Sequence, residues 1–311
     1  MEDKKNNRLK NNFFSKIGNK YILQKIFANL TLKILLQIIK YNKSIQEKLE
    51  KDINDYIKYY KKVIIEIIPI KKEEDKKSID ENSRDDEEDE NSRDEKKKDY
   101  FINYEEEDNQ YYHIYFNDEK EEMHRNYFTD YENITKIKII IDEKSKSFKK
   151  LFYNCDCIVK INFIKFNRKD INNMSCMFFR CSSLKELNLN NFNTNDVTDM
   201  SDMFSECSSL KELNLNNFNT NNVKNMSHMF SYCSSLKELN LNNFNTDSVT
   251  YMGSMFSDCS SLIELNLNNF NTINVINMYY IFCGCSDELK NKIRSLINMN
   301  KKKGLNLCSI Y

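Results

Sequence analysis

Glycine and proline are almost missing from this chain, with four and one in 311 residues. Four scattered glycines cannot supply a glycine-rich loop of the kind that cradles phosphates. Net charge is missing as well. The 47 Lys and Arg residues are matched by 47 Asp and Glu, so no overall field draws the chain to nucleic acid or to an anionic membrane. No long hydrophobic run occurs either. The longest apolar-looking stretch, Ile26–Ile39, is interrupted by Asn29, Lys33 and Gln37 and is too short to span a bilayer. The opening "MEDKKNNRLKNNFFSKIGNK" carries acids and a long polar lead in place of an apolar signal core. A soluble, cytoplasmic protein is the expectation, with no membrane span and no nucleic-acid partner.

Catalytic chemistry is equally poorly supplied. The three histidines, His113, His124 and His228, stand at no nucleophile or zinc spacing, and the pairs Cys155-x-Cys157 and Cys283-x-Cys285 are not CxxC motifs. The chain reads as a non-enzyme that takes no cofactor and no metal.

What the sequence does contain is repetition. "SSLKELNLNNFNT" stands at Ser182–Thr194, Ser208–Thr220 and Ser234–Thr246, and again at Ser260–Thr272 with Ile263 replacing Lys. The period of 26 residues lies in the range of leucine-rich repeats. Four full units begin at Met174, Met200, Met226 and Met252. An eroded unit precedes them from Phe148, and a partial one, "MYYIFCGC", opens at Met278. Within a unit, Leu187 and Leu189 alternate with polar neighbours, which is strand spacing. Met174, Met177, Phe178 and Cys181 fall at i, i+3, i+4, i+7, which predicts a short helix. Each unit therefore reads as strand, turn through "NNFNT", and helical return. A single unit buries too little to offset its ordering entropy, so stacking is obligatory. Cys155, Cys181, Cys207, Cys233, Cys259 and Cys285 recur at the same period and are read as small, buried, reduced residues.

The rest of the chain divides by composition. Residues 1–12 form a polar tail. Residues 13–68 carry helical apolar spacing, with a third helix expected over Ile53–Ile68 and ending at Pro69. Residues 69–99 are mixed charge with almost no apolar side chains and read as a disordered linker. Residues 100–147, with strands at Tyr100–Phe116 and Ile134–Ile141 around the turn "NDEKEE", form a β cap. After the repeats of 148–285, residues 286–311 begin with Ser286 as N-cap of a capping helix that carries Leu289, Ile293, Leu296 and Ile297 on one face. The fold class expected is α/β, a leucine-rich-repeat solenoid of 26-residue strand-turn-helix coils with a small N-terminal all-α domain.

The string "MF..CSSLKELNLNNFNT..V..M" resembles the BspA-type leucine-rich repeat, over roughly Phe148 to Cys285. That resemblance implies a surface or adhesion protein, although no export signal is visible. Where leucine-rich repeats in general bury an Asn, this chain has Phe192, Phe218, Phe244 and Phe270, so an aromatic stack is expected there. Tyr21–Leu49 resembles an F-box through Ile22, Leu23, Ile26, Phe27, Leu30 and Leu35. An F-box ahead of the repeats would imply a ubiquitin-ligase substrate adaptor gripping a Skp-type protein. An ordinary helical domain with the same spacing is the alternative.

Repeat proteins of this kind bind through the strand face. Here that face shows a glutamate column (Glu186, Glu212, Glu238, Glu264) beside two asparagine columns (Asn188, Asn214, Asn240, Asn266; Asn190, Asn216, Asn242, Asn268). Stacked like charges repel, and the Lys column at 185, 211 and 237 relieves this only in part, so a basic partner is favoured. A solvated polar face copied along with the repeat is the plainer reading. Positions that differ between units, Cys176, Asp202, His228 and Ser254 with Arg180, Glu206, Tyr232 and Asp258, are expected on the outer side of the returns. The function read from these features is a protein-protein interaction scaffold.

Overall fold

A computed structural model describes residues 62–71, 97–129, 132–145, 147–166, 168–267 and 269–297, with seven isolated positions before residue 62; of 294–297 only the backbone is described. The chain divides into two compact units, Met1–Lys62 and Val63–Tyr311. In the first, the described positions Ile22, Ile38, Ser44, Ile45, Glu47, Lys58 and Lys61 are helical, and Ile38 and Ile45 are buried. Of the F-box-like residues only Ile22 is described, and it is exposed. Leu23, Ile26, Phe27, Leu30 and Leu35 lie outside the described residues, as does most of the expected linker.

The second unit opens with a correction. The expected helix over Ile53–Ile68 is replaced at its end by strand β1, Val63–Pro69, with alternating burial. The reason is local and tertiary at once. Val63, Ile64, Ile65, Ile67 and Ile68 are β-branched and stiff at χ1, which favours a pleated surface. Partners on both sides then complete its hydrogen bonding. β1 pairs antiparallel with β5, Ile137–Ile141 (Val63 opposite Ile141), and with β6, Ile158–Lys165 (Ile67 opposite Ile161). β3, Tyr112–Phe116, adds to the far side of β5. A two-stranded pair, β2 (Lys98–Tyr100) with β4 (Tyr127–Thr129), lies outside that sheet. The expected β cap at 100–147 thus forms, although Glu106–Tyr111 is a 3-10 helix and not strand, and the cap includes β1.

β6 is the strand of the eroded unit, and it joins the cap to the repeats. On its other edge it pairs in parallel with β7, Glu186–Asn188, with Lys160 opposite Glu186 and Ile161 opposite Leu187, one period apart. β8, Glu238–Asn240, pairs in parallel with β9, Glu264–Asn266. Glu212–Asn214 forms no strand, so the strand side is two short pairs and not one continuous sheet.

The helical returns do not form, and the expected fold class, an α/β leucine-rich-repeat solenoid of strand-turn-helix coils, is overturned. In this second unit the described residues are mostly strands and turns, with one α-helix, Asp287–Ile297, and the 3-10 helix. Ser175–Arg180 and its equivalents are runs of tight turns. Met177 N–H donates to Met174 O and Cys181 N–H to Phe178 O, while the residues between them reach the next unit: Cys176 N–H to Ser201 O at 2.8 Å, Phe178 N–H to Met203 O and Arg180 N–H to Ser205 O at 2.9 Å. A helix would spend those N–H groups inside itself. The turns require left-handed residues, and Cys176, Arg180, Asp202, Glu206, His228, Tyr232, Ser254 and Asp258 all have φ between 53° and 61°. Each costs on the order of 1–2 kcal/mol for a residue with a Cβ. Inter-unit hydrogen bonding and shared burial offset that cost.

The spacing that suggested a helix serves the turn run equally well, since Met174, Met177, Phe178 and Cys181 all end fully buried. Phe152, Phe178, Phe204, Phe230, Phe256 and Phe282 stack through the array at 5.4–5.6 Å with nearly parallel rings. The expected stack forms over three of its four members, Phe192, Phe218 and Phe244, at 5.8 and 6.4 Å. The asparagine ladder persists beside it, one residue earlier: Asn217 Nδ2 donates to Leu189 O and Phe192 O, and Asn243 Nδ2 to Leu215 O and Phe218 O. Thr194, Thr220 and Thr246 are buried, and each hydroxyl donates to a carbonyl of the next unit and accepts the N–H of the same residue.

The capping helix is as expected. Ser286 Oγ accepts the Leu289 N–H at 3.2 Å, and Leu289 and Ile293 are buried.

Candidate functional site

The strand side displays the glutamate column as expected. Glu186, Glu212, Glu238 and Glu264 are all exposed. Its two ends are neutralised by lysines from outside the full repeats. Lys160 Nζ lies 2.5 Å from Glu186 Oε2, and Lys292 of the capping helix lies 2.9 Å from Glu264 Oε1. Glu212 and Glu238, between them, have no ion-pair partner among the described residues. Register partners such as Glu238 and Glu264 stand about 4.8 Å apart across the strands. At that separation like charges repel by about 1 kcal/mol in water.

The inner asparagine column is less available than its exposure suggests. Asn188, Asn214 and Asn240 each use Oδ1 to accept the backbone N–H two residues on, at 3.0–3.1 Å, and Asn188 Nδ2 donates to Asn162. These side chains shape the turn that follows the strand. Asn190, Asn216 and Asn242 are exposed. Asn266 is half-buried, and Asn268 lies outside the described residues.

A second surface runs along the corner where the turn run enters the strand. There a groove of about 570 Å³ is lined by Asn154, Asp156, Arg180, Ser182, Glu206, Ser208, Tyr232 and Ser234. It crosses successive units and gathers one of the two variable columns. Those variable residues are the left-handed ones, so their side chains leave the core by backbone geometry. Neighbours in the columns interact: Arg180 Nε donates to Glu206 Oε2 at 2.7 Å. The Asp258 carboxylate raises the pKa of the Tyr232 hydroxyl, by its charge and by a hydrogen bond.

The cysteine ladder faces inward, away from both surfaces. Cys181, Cys207, Cys233, Cys259 and Cys285 are free and buried, each Sγ donating to a Phe carbonyl of the preceding unit at 3.0–3.1 Å. Burial pushes these thiols up, Cys285 to about 11 and the others well above the ordinary range. Raised in this way, they hold their protons at neutral pH. Cys283, off the ladder, is disulfide-bonded.

Sequence reasoning missed the buried Arg168. Its guanidinium donates to Asp170 Oδ1 at 2.7 Å, Asp142 O at 3.2 Å and Ser145 O at 2.5 Å, tying the end of β5 to the start of the repeats. An arginine between polar neighbours carries no sign of burial, so nothing in the sequence marks it.

No helix among the described residues is long and apolar enough to cross a membrane. Comparison with curated proteins finds no match, and comparison with solved structures finds none. A family model does match, over residues 146–239 and 213–304, which together take in the eroded unit, all four full units and the capping helix. The chain therefore belongs to the family described as Mycoplasma protein of unknown function, DUF285.

Proposed function

We propose that this protein is a non-catalytic interaction scaffold whose strand side takes an extended, lysine- or arginine-rich segment of a protein partner. The observation that supports this reading is the charge arrangement along the glutamate column. The outer members, Glu186 and Glu264, have lysine partners, whereas the inner pair, Glu212 and Glu238, has none among the described residues. A basic side chain seated on that pair relieves repulsion that the chain itself leaves standing. Such a contact is exposed, so it steers association and sets specificity more than it adds affinity, and salt weakens it.

The test uses the full chain with an octalysine peptide and an octaglutamate control. Octalysine should bind with a dissociation constant in the range of tens of micromolar, about −6 to −7 kcal/mol. The Glu212→Gln, Glu238→Gln double variant should bind at least about tenfold more weakly, a change of about 1.4 kcal/mol. Equal binding of the two peptides, or unchanged binding by the double variant, would reject the glutamate column as the recognition surface.

A further inference from the structure

The end of the array, from Ile273 into the partial unit at Met278, departs from its predecessors toward apolar residues at three positions. Where earlier units carry Asn or Asp (195, 221, 247), it has Ile273; where they carry Thr or Lys (198, 224, 250), Ile276; where they carry Ser or Gly (175, 201, 227, 253), Tyr279. Tyr280 takes the left-handed position beside it. These side chains are open to solvent: Ile273 66%, Ile276 75%, Tyr279 58% and Tyr280 60%, with Tyr251 of the preceding unit at 46%. A terminal repeat ordinarily has a polar outer face, because that face meets water. Here polar residues have given way to isoleucine and tyrosine at the end of the array.

The array is also polarised along its axis. In the turn runs the N–H groups of one unit donate to the carbonyls of the next, from Phe152 to Met177 onward. At its first end β1 lies along the edge of β6, and Asn103 takes two of the leading carbonyls, N–H to Leu151 O at 2.7 Å and Nδ2 to Tyr153 O at 2.8 Å. At the last end, the N–H groups of Tyr280, Phe282 and Gly284 stand where earlier units donate onward, and they meet no backbone acceptor among the described residues. The two ends therefore differ: the cap covers the first, whereas at the last the helix Asp287–Ile297 meets the strand side through Lys292 and the turn side is apolar, with N–H groups that meet no backbone acceptor among the described residues.

We infer that the apolar end is a homodimer interface, in which Ile273, Ile276, Tyr279 and Tyr280 of one chain pack on the same residues of a second copy about a two-fold axis. The area supports this. An aromatic side chain buries about 150–250 Å² when fully covered, so five roughly half-open side chains leave on the order of 500 Å². That is the size of patch, about 300–600 Å², that marks contact sites on monomers, and it approaches the ~800 Å² per partner of a standard interface. The cap on the first end, with β1 on the edge of β6 and Asn103 on two of the carbonyls, stands in the way of head-to-tail growth. What is left is an isologous contact that closes at two. Both copies would offer main-chain donors, so side chains carry the interface.

This inference is independent of the glutamate column, and its test keeps the two apart. Sedimentation of the full chain, from about 1 to about 100 µM, should show a monomer passing into a dimer. A triple variant, Ile273→Asn, Ile276→Lys, Tyr279→Ser, installs the residues that stand two units earlier (Asn221, Lys224, Ser227). It should therefore fold, as circular dichroism would check, and should keep octalysine binding while its dimer dissociates at least about tenfold more readily. A chain that stays monomeric throughout, a triple variant that dimerises as the parent does, or assembly beyond the dimer would each overturn the inference.

Discussion

The cap and the repeat array lie in the same compact unit and share strand β6, yet they hold together by different means. The cap is an antiparallel sheet of five- to eight-residue strands whose sequence never repeats, and its ladder runs between β3, β5, β1 and β6. Beyond β6 the array has strands of three residues at most. It compensates with columns: two phenylalanine stacks, a thiol-to-carbonyl ladder, a threonine ladder and a row of asparagine amides. In the cap each contact is unique, so a change at one position is felt by the whole sheet. In the array every contact recurs at one period, so a change damages one rung and its two neighbours. Regular repetition makes stability local.

The sharpest way to break that comparison is to empty the core of each part. Phe204→Ala in the middle of the array should cost about 3–5 kcal/mol, and Ile139→Ala in β5 about 2–5 kcal/mol. The two should differ in reach. Hydrogen exchange should rise first in the units on either side of Phe204 while the amides of β1 and β5 stay protected, whereas Ile139→Ala should loosen all the cap strands together. Uniform exchange across cap and array in the Phe204 variant would mean one cooperative unit and would remove the distinction.

A smaller effect tests the ladders singly. Thr220→Val keeps the shape of a fully buried side chain but deletes both hydrogen bonds to Asn245. It should lower stability by about 1–3 kcal/mol, because the Asn245 N–H and carbonyl lose their partner away from water. Denaturant unfolding would measure it. A loss no larger than about 0.5 kcal/mol, the usual size of a surface change, would mean the threonine ladder is incidental to stacking.

The smallest effect is electrostatic and belongs to the cap. Arg125 forks onto Glu132, which also accepts from Thr129, and the arginine hydrogen bond is the main cause that holds the Glu132 pKa near about 2. A carboxylate depressed in the folded state contributes stability above its unfolded value, near 4.5, and that contribution is lost as pH falls toward about 2. The pair is near the surface, so roughly 1 kcal/mol is expected after solvent screening. Glu132→Gln should flatten the acid limb of the stability profile between those two pH values, and an unchanged limb would show that the pair contributes nothing.

The repeat and its inward side chains were legible; the fold class was not. The 26-residue period, the inward set of Met, Phe, Cys and Leu, the cap at 100–147 and the capping helix at Ser286 all follow from spacing and end signals, because burial and capping are local demands. The failures are instructive for the same reason. Val63–Pro69 looked helical in continuity with the segment before it, and only β5 and β6, distant in sequence, made it the centre of a sheet. The turn run was mistaken for a helix because both place residues i, i+3, i+4 and i+7 on one side. A signal was present in Asn173, Asp199 and Asn225, whose side chains accept the N–H of the serine two residues on, the mark of a turn and not of a helix start that continues.

The amino-acid sequence by itself determined that this chain repeats, which side chains each repeat buries, and where the array is capped, since each of these depends on neighbours within a few residues or on the period itself. The tertiary structure decided the rest. It chose turns over helices, left Glu212 and Glu238 without the lysines that neutralise Glu186 and Glu264, and set Asn103 of the cap against carbonyls at the first end of the array. Each of those outcomes depends on which acceptor or counter-charge, about 25 residues away or more, reaches a given group, and local spacing carries no record of that choice.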